Sequence, residues 1–235
     1  MKRNDDCVPR VYVGPGPADG SKMCTMQLIS RANGDTKITE FPDCSARPLT
    51  GLVQCVNDNI CTNGYGDLLC PKCSRAVLDL GWATVGTAGT PNTVVWAWLA
   101  ELLDDPVWGV AQRTDDPAPV VAVANLCRRI AAGDAPGRAE WESAYAAADC
   151  ACTAACNDTA ADYVYMTAIN AITGGVHASA AAHAASSAFA AHASDARLTH
   201  ARHAITAWRR LAGLGTAVMD TAAETAALPL AVATP

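Results

Sequence analysis

Charge is scarce in this chain. Only 17% of its residues are charged and the net charge is −6. A weakly acidic surface gives no electrostatic reason to expect a nucleic-acid partner. All four lysines (Lys2, Lys22, Lys37 and Lys72) lie before residue 75, and the rest of the chain uses arginine alone, as codon bias in a GC-rich genome would produce. Long strongly apolar runs are missing too. The alanine stretches are broken by His, Asp and Arg, so no membrane span is expected. The start of the chain, Met1-Lys2-Arg3-Asn4-Asp5-Asp6-Cys7, lacks an apolar core, so no secretory signal is expected and the cytoplasm of a bacterial cell is the expected compartment. Catalytic signatures are absent as well: there is no GxSxG elbow, P-loop or dinucleotide-binding glycine pattern.

What the chain does have is 51% apolar residues, much of it alanine, and eleven cysteines placed unevenly. Seven of them fall within the first 73 residues. At 235 residues the length allows one large domain or a small one joined to a medium one. The expected fold is mainly α: an alanine-rich helical bundle, residues 91–213, carrying a small cysteine-rich head, residues 1–90, and ending in a tail, residues 214–235. In the head, Met23–Ser30 and Thr36–Phe41 have strand character. Asn33-Gly34 between them reads as a hairpin turn. Ser74–Trp82 reads as a helix.

The body reads as a helix over Thr93–Leu103, another over roughly 117–132, then two long helices over about 138–172 and 176–212. Gly174-Gly175 would form a hairpin turn between the last two. Each long helix shows one narrow seam of larger residues spanning about 80° of the wheel. The first holds Trp141, Tyr145, Cys152, Cys156, Thr159, Tyr163 and Met166. The second holds Val176, His183, Ala190, Leu198, Ala201, Ile205 and Trp208. Both seams are expected to face the core, with His183 as a core histidine. The remaining positions are mostly alanine, which allows close approach of helix backbones.

The strongest chemical signal is Cys55-x5-Cys61-x8-Cys70-Pro71-Lys72-Cys73. A Cys-Pro-x-Cys knuckle offers two thiolates from one turn, and a tetrahedral zinc needs four soft ligands. Cys55, Cys61, Cys70 and Cys73 are therefore the expected ligands of a structural zinc, with Cys44 as a substitute. In a reducing compartment metal binding explains clustered cysteines better than disulfides do, although disulfides and inert thiols stay open as alternatives. Cys152 and Cys156 share a helix face, but among Trp141, Tyr145 and Tyr163 they read as small packing residues. Arg128-Arg129 and Arg209-Arg210 read as helix-end pairs that complement the dipole.

All five histidines fall in the last third of the chain. His177, His192, His200 and His203 map to one broad sector, polar yet almost uncharged near neutral pH. That sector is the expected partner-binding face.

The stretch Arg138 to Asp149 (RAEWESAYAAAD), with His177 to His183 (HASAAAH) and Phe189 to Ala193 (FAAHA), resembles alanine-rich helical proteins of GC-rich bacteria and their phages, some of them described as immunity proteins. The resemblance is largely compositional and spans at most residues 95–212. It implies a helical fold and no catalytic residues. The expected function is a non-enzymatic protein-interaction module, of phage or mobile-element origin, that binds another protein. A metal-dependent enzyme or metal-handling protein is one alternative. An oligomeric structural component of a phage is the other.

Overall fold

The computed structural model describes residues 9–14, 16–17, 20–61, 66–155, 158–174, 178–192 and 196–215. Among them run nine α-helices: α1 Thr25–Asn33, α2 Arg47–Asn59, α3 Pro71–Thr84, α4 Asn92–Asp104, α5 Ala118–Ala131, α6 Arg138–Ala154, α7 Thr159–Gly174, α8 Ala178–Ala190 and α9 Arg197–Leu211. A 3-10 turn, Val110–Arg113, joins α4 to α5. The only β pairing among the described residues is two isolated antiparallel bridges, Tyr12 with Leu68 and Ser45 with Val85. No helix among the described residues is long and apolar enough to cross a membrane.

The mainly helical class is as expected; the hairpin is not. Residues 25–33 form α1, and Gly34 at φ 78° is its left-handed C-cap. Gly34 N–H donates to the Arg31 carbonyl and Asp35 N–H to the Ser30 carbonyl, the paired bonds that close a helix at a glycine. An Asn-Gly pair serves a helix end as well as a hairpin turn, and the cap wins here because Gln27 closes the other end. Its Oε1 accepts the Cys24 N–H at 3.1 Å. Residues 36–41 carry no strand.

The two long helices are each broken. Asp158 ends the first by capping α7: its Oδ1 accepts from the Ala160 and Ala161 amides at 3.0 and 3.2 Å. An Asp that satisfies two first-turn amides starts a new helix rather than continuing an old one. The second is divided into α8 and α9. The expected turn at residues 172–176 falls partly on residues 175–177, outside those described. α7 and α8 do pack along each other, and Asn170 Nδ2 donates to Ser187 Oγ at 3.4 Å.

These breaks reset the helical phase and overturn much of the seam assignment. Tyr145 and Tyr163 are 46% and 37% exposed, and His183 is exposed. What α6 and α7 bury instead is Ala144, Ala148, Val164, Tyr165, Thr167, Ala168 and Ala171. Trp141 is half-buried against Trp96 at 5.8 Å. Cys156 and Val176 lie outside the described residues. The second seam keeps its later half: Ala201, Ile205 and Trp208 are buried. Trp208 meets Trp98 edge to face at 5.2 Å, and Trp98 Nε1 donates to the Ala204 carbonyl at 2.8 Å.

One buried cluster runs from Val11 to Trp208, so head and body share a core. At Gly51 the two approach closely. A Cβ there would lie 2.6 Å from Ala182 Cβ, so only glycine lets α2 lie this close to α8. Arg209 ties α9 to the end of α3, donating to the Ala83 and Val85 carbonyls at 3.2 and 3.0 Å.

Candidate metal centre

The Cys-Pro-Lys-Cys segment opens α3. Cys70 is its N-cap, and Pro71 sits in the first turn, where a missing N–H costs nothing. The cap bond is made by sulfur: the Cys73 N–H donates to Cys70 Sγ at 3.4 Å. The chain then reaches back to the end of α2, where the Cys70 N–H donates to Cys61 Sγ at 3.5 Å. Cys73 Sγ donates to the Ile60 carbonyl at 3.9 Å. The sulfurs of Cys61, Cys70 and Cys73 all lie within 4.8 Å of one another, close enough to hold one metal ion. Among the described residues they are the only group of three or more Cys, His, Asp or Glu gathered in this way.

Two opposing effects act on these thiols. Backbone N–H groups point at the sulfurs of Cys61 and Cys70, and the positive end of α3 lies beside them. Burial, followed by hydrogen bonding and charge from Cys70 and Cys61, pushes the Cys73 thiol up to about 12. A bound cation would offset the repulsion that this crowding imposes on a Cys73 thiolate.

The loop before Cys70 is held from the other side by the N-terminal arm. Leu69 N–H donates to the Val11 carbonyl at 2.9 Å, and Val13 N–H donates to the Asp67 carbonyl at 2.7 Å. The arm is pinned in turn by Asn57 of α2, whose Nδ2 donates to the Tyr12 carbonyl at 2.8 Å. Lys22 and Asp67 pair at 2.6 Å, but both are exposed and the pair adds little.

The structure brings together three of the four expected ligands. Cys55, half-buried on α2, points elsewhere: Ser186 of α8 hydrogen-bonds its thiol, and burial pushes that thiol up. Six residues along a helix turn about 240° from the starting direction, so Cys55 cannot share a face with a residue just past the helix end. Cys44, the substitute, is also outside the group. Its Sγ lies 3.7 Å from Ser45 Oγ, and its carbonyl accepts from the Gly86 and Ala88 amides.

The histidine face does not form. His192 and His200 are buried, at 4% and 2% exposure, and their rings stack 4.0 Å apart. The break between α8 and α9 brings them together face to face, which one continuous helix cannot do. His192 Nδ1 bonds to the Ala188 carbonyl at 2.8 Å. Neither ring nitrogen of His200 has a hydrogen-bond partner. Burial lowers the pKa of both, that of His200 strongly. His203 is exposed and stacks on Trp108, and His177 lies outside the described residues. Two of the four expected face residues are therefore inside the protein.

Cys127 and Cys152 are poor nucleophiles. Burial holds Cys127 up to about 12. Burial and the adjacent Asp162 carboxylate, to which Cys152 Sγ donates at 2.9 Å, push Cys152 up to about 11. The arginine pairs do end helices, as expected. Arg128 reaches Asp104 at 2.8 Å, Arg129 pairs with Asp134 and Glu140, and Arg210 reaches Glu101 at 2.5 Å. Comparison of the chain with protein-family models, curated proteins and solved structures finds no match.

Proposed function

We propose that this protein is a non-enzymatic interaction module whose head is fixed by one structural zinc ion held by Cys61, Cys70 and Cys73, and that it acts by binding another protein. The observation that carries the zinc assignment is the convergence of three half-buried sulfurs at the start of α3. Thiolates suit a soft or borderline cation, and backbone N–H groups already point at two of the sulfurs. Three thiolates also bring more negative charge than a doubly charged ion carries. That makes the ion a weak Lewis acid and a good clamp. The clamp joins the end of α2 to the start of α3.

Binding rather than turnover is supported by the raised pKa values of Cys127 and Cys152, which disfavour the reactive thiolate. Large side chains left at the surface, Val107 at 77% exposure and Tyr145 at 46%, are available for contact.

A second reading has one observation in its favour. Catalytic zinc keeps three protein ligands and an open position, and three is the number of ligands gathered among the described residues. The two readings separate by affinity isolation of the full chain from its native host. The interaction reading expects a discrete protein partner recovered with the wild type and lost with Cys70→Ser. Turnover that stops on chelation while the helical circular-dichroism signal survives, with no partner recovered, contradicts it.

A further inference from the structure

Resting on the reading of Cys61, Cys70 and Cys73 as a metal centre, we propose that the same three thiols are a binding site for trivalent arsenic, taken up as arsenous acid and held as a pyramidal three-sulfur complex. The match is one of number and shape. Arsenic(III) bonds to three sulfurs and keeps a lone pair where a fourth ligand would stand, so three donors complete it. Among the described residues three donors are gathered here and no fourth. A tetrahedral zinc on the same sulfurs has a position left over.

The sulfurs are placed as the base of such a pyramid. Each lies within 4.8 Å of the other two, so one small ion can reach all three. Two chain segments supply them: Cys61 just past the end of α2, and Cys70 and Cys73 at the start of α3. The Cys70 N–H on Cys61 Sγ and the Cys73 N–H on Cys70 Sγ, at 3.5 and 3.4 Å, hold two of the sulfurs before any ion arrives. That preorganisation lowers the ordering cost of binding. All three cysteines are half-buried rather than sealed in, so a small neutral molecule has access to them.

Charge balance favours the trivalent ion in such a place. Arsenous acid condenses with three thiols. Each S–H gives its proton to one As–OH, an As–S bond replaces the As–O bond, and three waters leave. Nothing is oxidised or reduced. The product is neutral, because three thiolates match one arsenic(III). Three thiolates on a doubly charged zinc leave a net negative charge, which burial disfavours.

Cys61 is what separates this site from a plain Cys-x-x-Cys pair. Two thiols alone leave one hydroxyl on the arsenic, and the thiol at the end of α2 replaces it. The bound ion then bridges α2 and α3. Competing thiols face elsewhere: Cys55 meets Ser186, Cys44 lies beside Ser45, and Cys127 is buried.

The test uses the full chain, reduced and stripped of metal, with one equivalent of sodium arsenite as the probe. Arsenic K-edge X-ray absorption should show a first shell of three sulfurs and no oxygen. Intact mass should show one arsenic per chain with three protons lost. Cys61→Ser, Cys70→Ser and Cys73→Ser should each weaken arsenite binding at least about tenfold, the least that removing a ligand is expected to cost when outer-shell changes already cost that much. Cys44→Ser should not change it. The absorption measurement needs only the parent chain, so a variant that folds poorly does not decide the outcome. A shell of two sulfurs and one oxygen, or parental affinity in Cys61→Ser, overturns the three-sulfur site; zinc uptake by the same parent chain then leaves the zinc centre standing. Arsenite held by three sulfurs in a chain that takes up no zinc supports the proposal and rejects the zinc assignment. Uptake of neither ion rejects both.

Discussion

Replacing Asn57 with alanine removes a small side chain but strips three parts of the head of their partners. Asn57 is 1% exposed. Its Oδ1 accepts from the Thr25 amide at 3.2 Å and the Thr25 hydroxyl at 3.0 Å. Its Nδ2 donates to the Tyr12 carbonyl at 2.8 Å and to Asp58 at 3.0 Å. Thr25 is fully buried, so water cannot replace the lost partner. Each buried donor or acceptor left alone costs about 1–3 kcal/mol. The two Thr25 groups and the Tyr12 carbonyl together suggest a loss of about 3–5 kcal/mol, a large share of the roughly 5–15 kcal/mol that holds a domain folded. The assay is urea denaturation followed by tryptophan fluorescence and circular dichroism. With a slope of about 2–3 kcal/mol per molar urea, the midpoint should fall by more than about 1 M. The freed arm should also be cut faster by protease near residues 9–14, and zinc should bind more weakly. A loss below about 1 kcal/mol, with an unchanged cleavage pattern, would refute the view that Asn57 is the pin between the arm, α1 and α2.

Gly51→Ala should cost about 1–2 kcal/mol, because overpacking of about 1–3 kcal/mol outweighs the gain in helix propensity; Ala182→Gly added to it should restore part of the loss, and a simple sum of the two single losses would contradict the α2–α8 contact. Stability should fall as pH drops below about 6.5, because the unfolded chain takes up protons that His192 and His200, with pKa values lowered by burial, refuse in the fold; each contributes up to about 1.4 kcal/mol per pH unit in that window. His200→Leu should flatten this slope and keep parental stability at pH 7.5, since it also removes two unpartnered ring nitrogens; an unchanged slope in chemical denaturation from pH 5 to 8 would reject the buried pair. Ile205→Asp should unfold the chain or cost more than about 3 kcal/mol, since it buries a charge at a site 1% exposed, whereas Tyr163→Asp should cost less than about 1.5 kcal/mol, and equal melting losses would show that α7 and α9 present other faces.

The parts of this fold that sequence carries best are those decided locally. Cys70-Pro71 is a helix start by cap chemistry and fixed φ, whatever packs on it, and Cys70 and Cys73 meet because they share that turn. Cys61 joins them from the end of α2, through a non-local contact that the spacing suggested and the structure supplies. Cys55 failed because α2 is a regular helix to Asn59 and carries its thiol to the α8 side. The Asn33-Gly34 pair failed because both a turn and a helix cap use a left-handed glycine, and only Gln27 closing the far end of α1 decides between them. The largest error came from phase. Asp158, a capping residue inside an alanine run, starts a new helix, so the residues of α7 do not continue the face that Trp141 begins. Tyr163 moved from core to surface. His192 and His200 moved from surface to core, where two helices, not one, bring their rings together. Alanine hides such breaks, since it suits every face of a helix and marks none.

The most direct measurement is zinc K-edge X-ray absorption on the full chain purified without added metal, with elemental analysis of the same sample. Zinc held by clustered thiolates gives one zinc per chain and a first shell of sulfur at about 2.3 Å. Both should disappear in the Cys70→Ser, Cys73→Ser double variant. A protein that carries no zinc and takes up none, or a first shell of nitrogen and oxygen at about 2.0–2.1 Å, would contradict the assignment of Cys61, Cys70 and Cys73 as the metal centre.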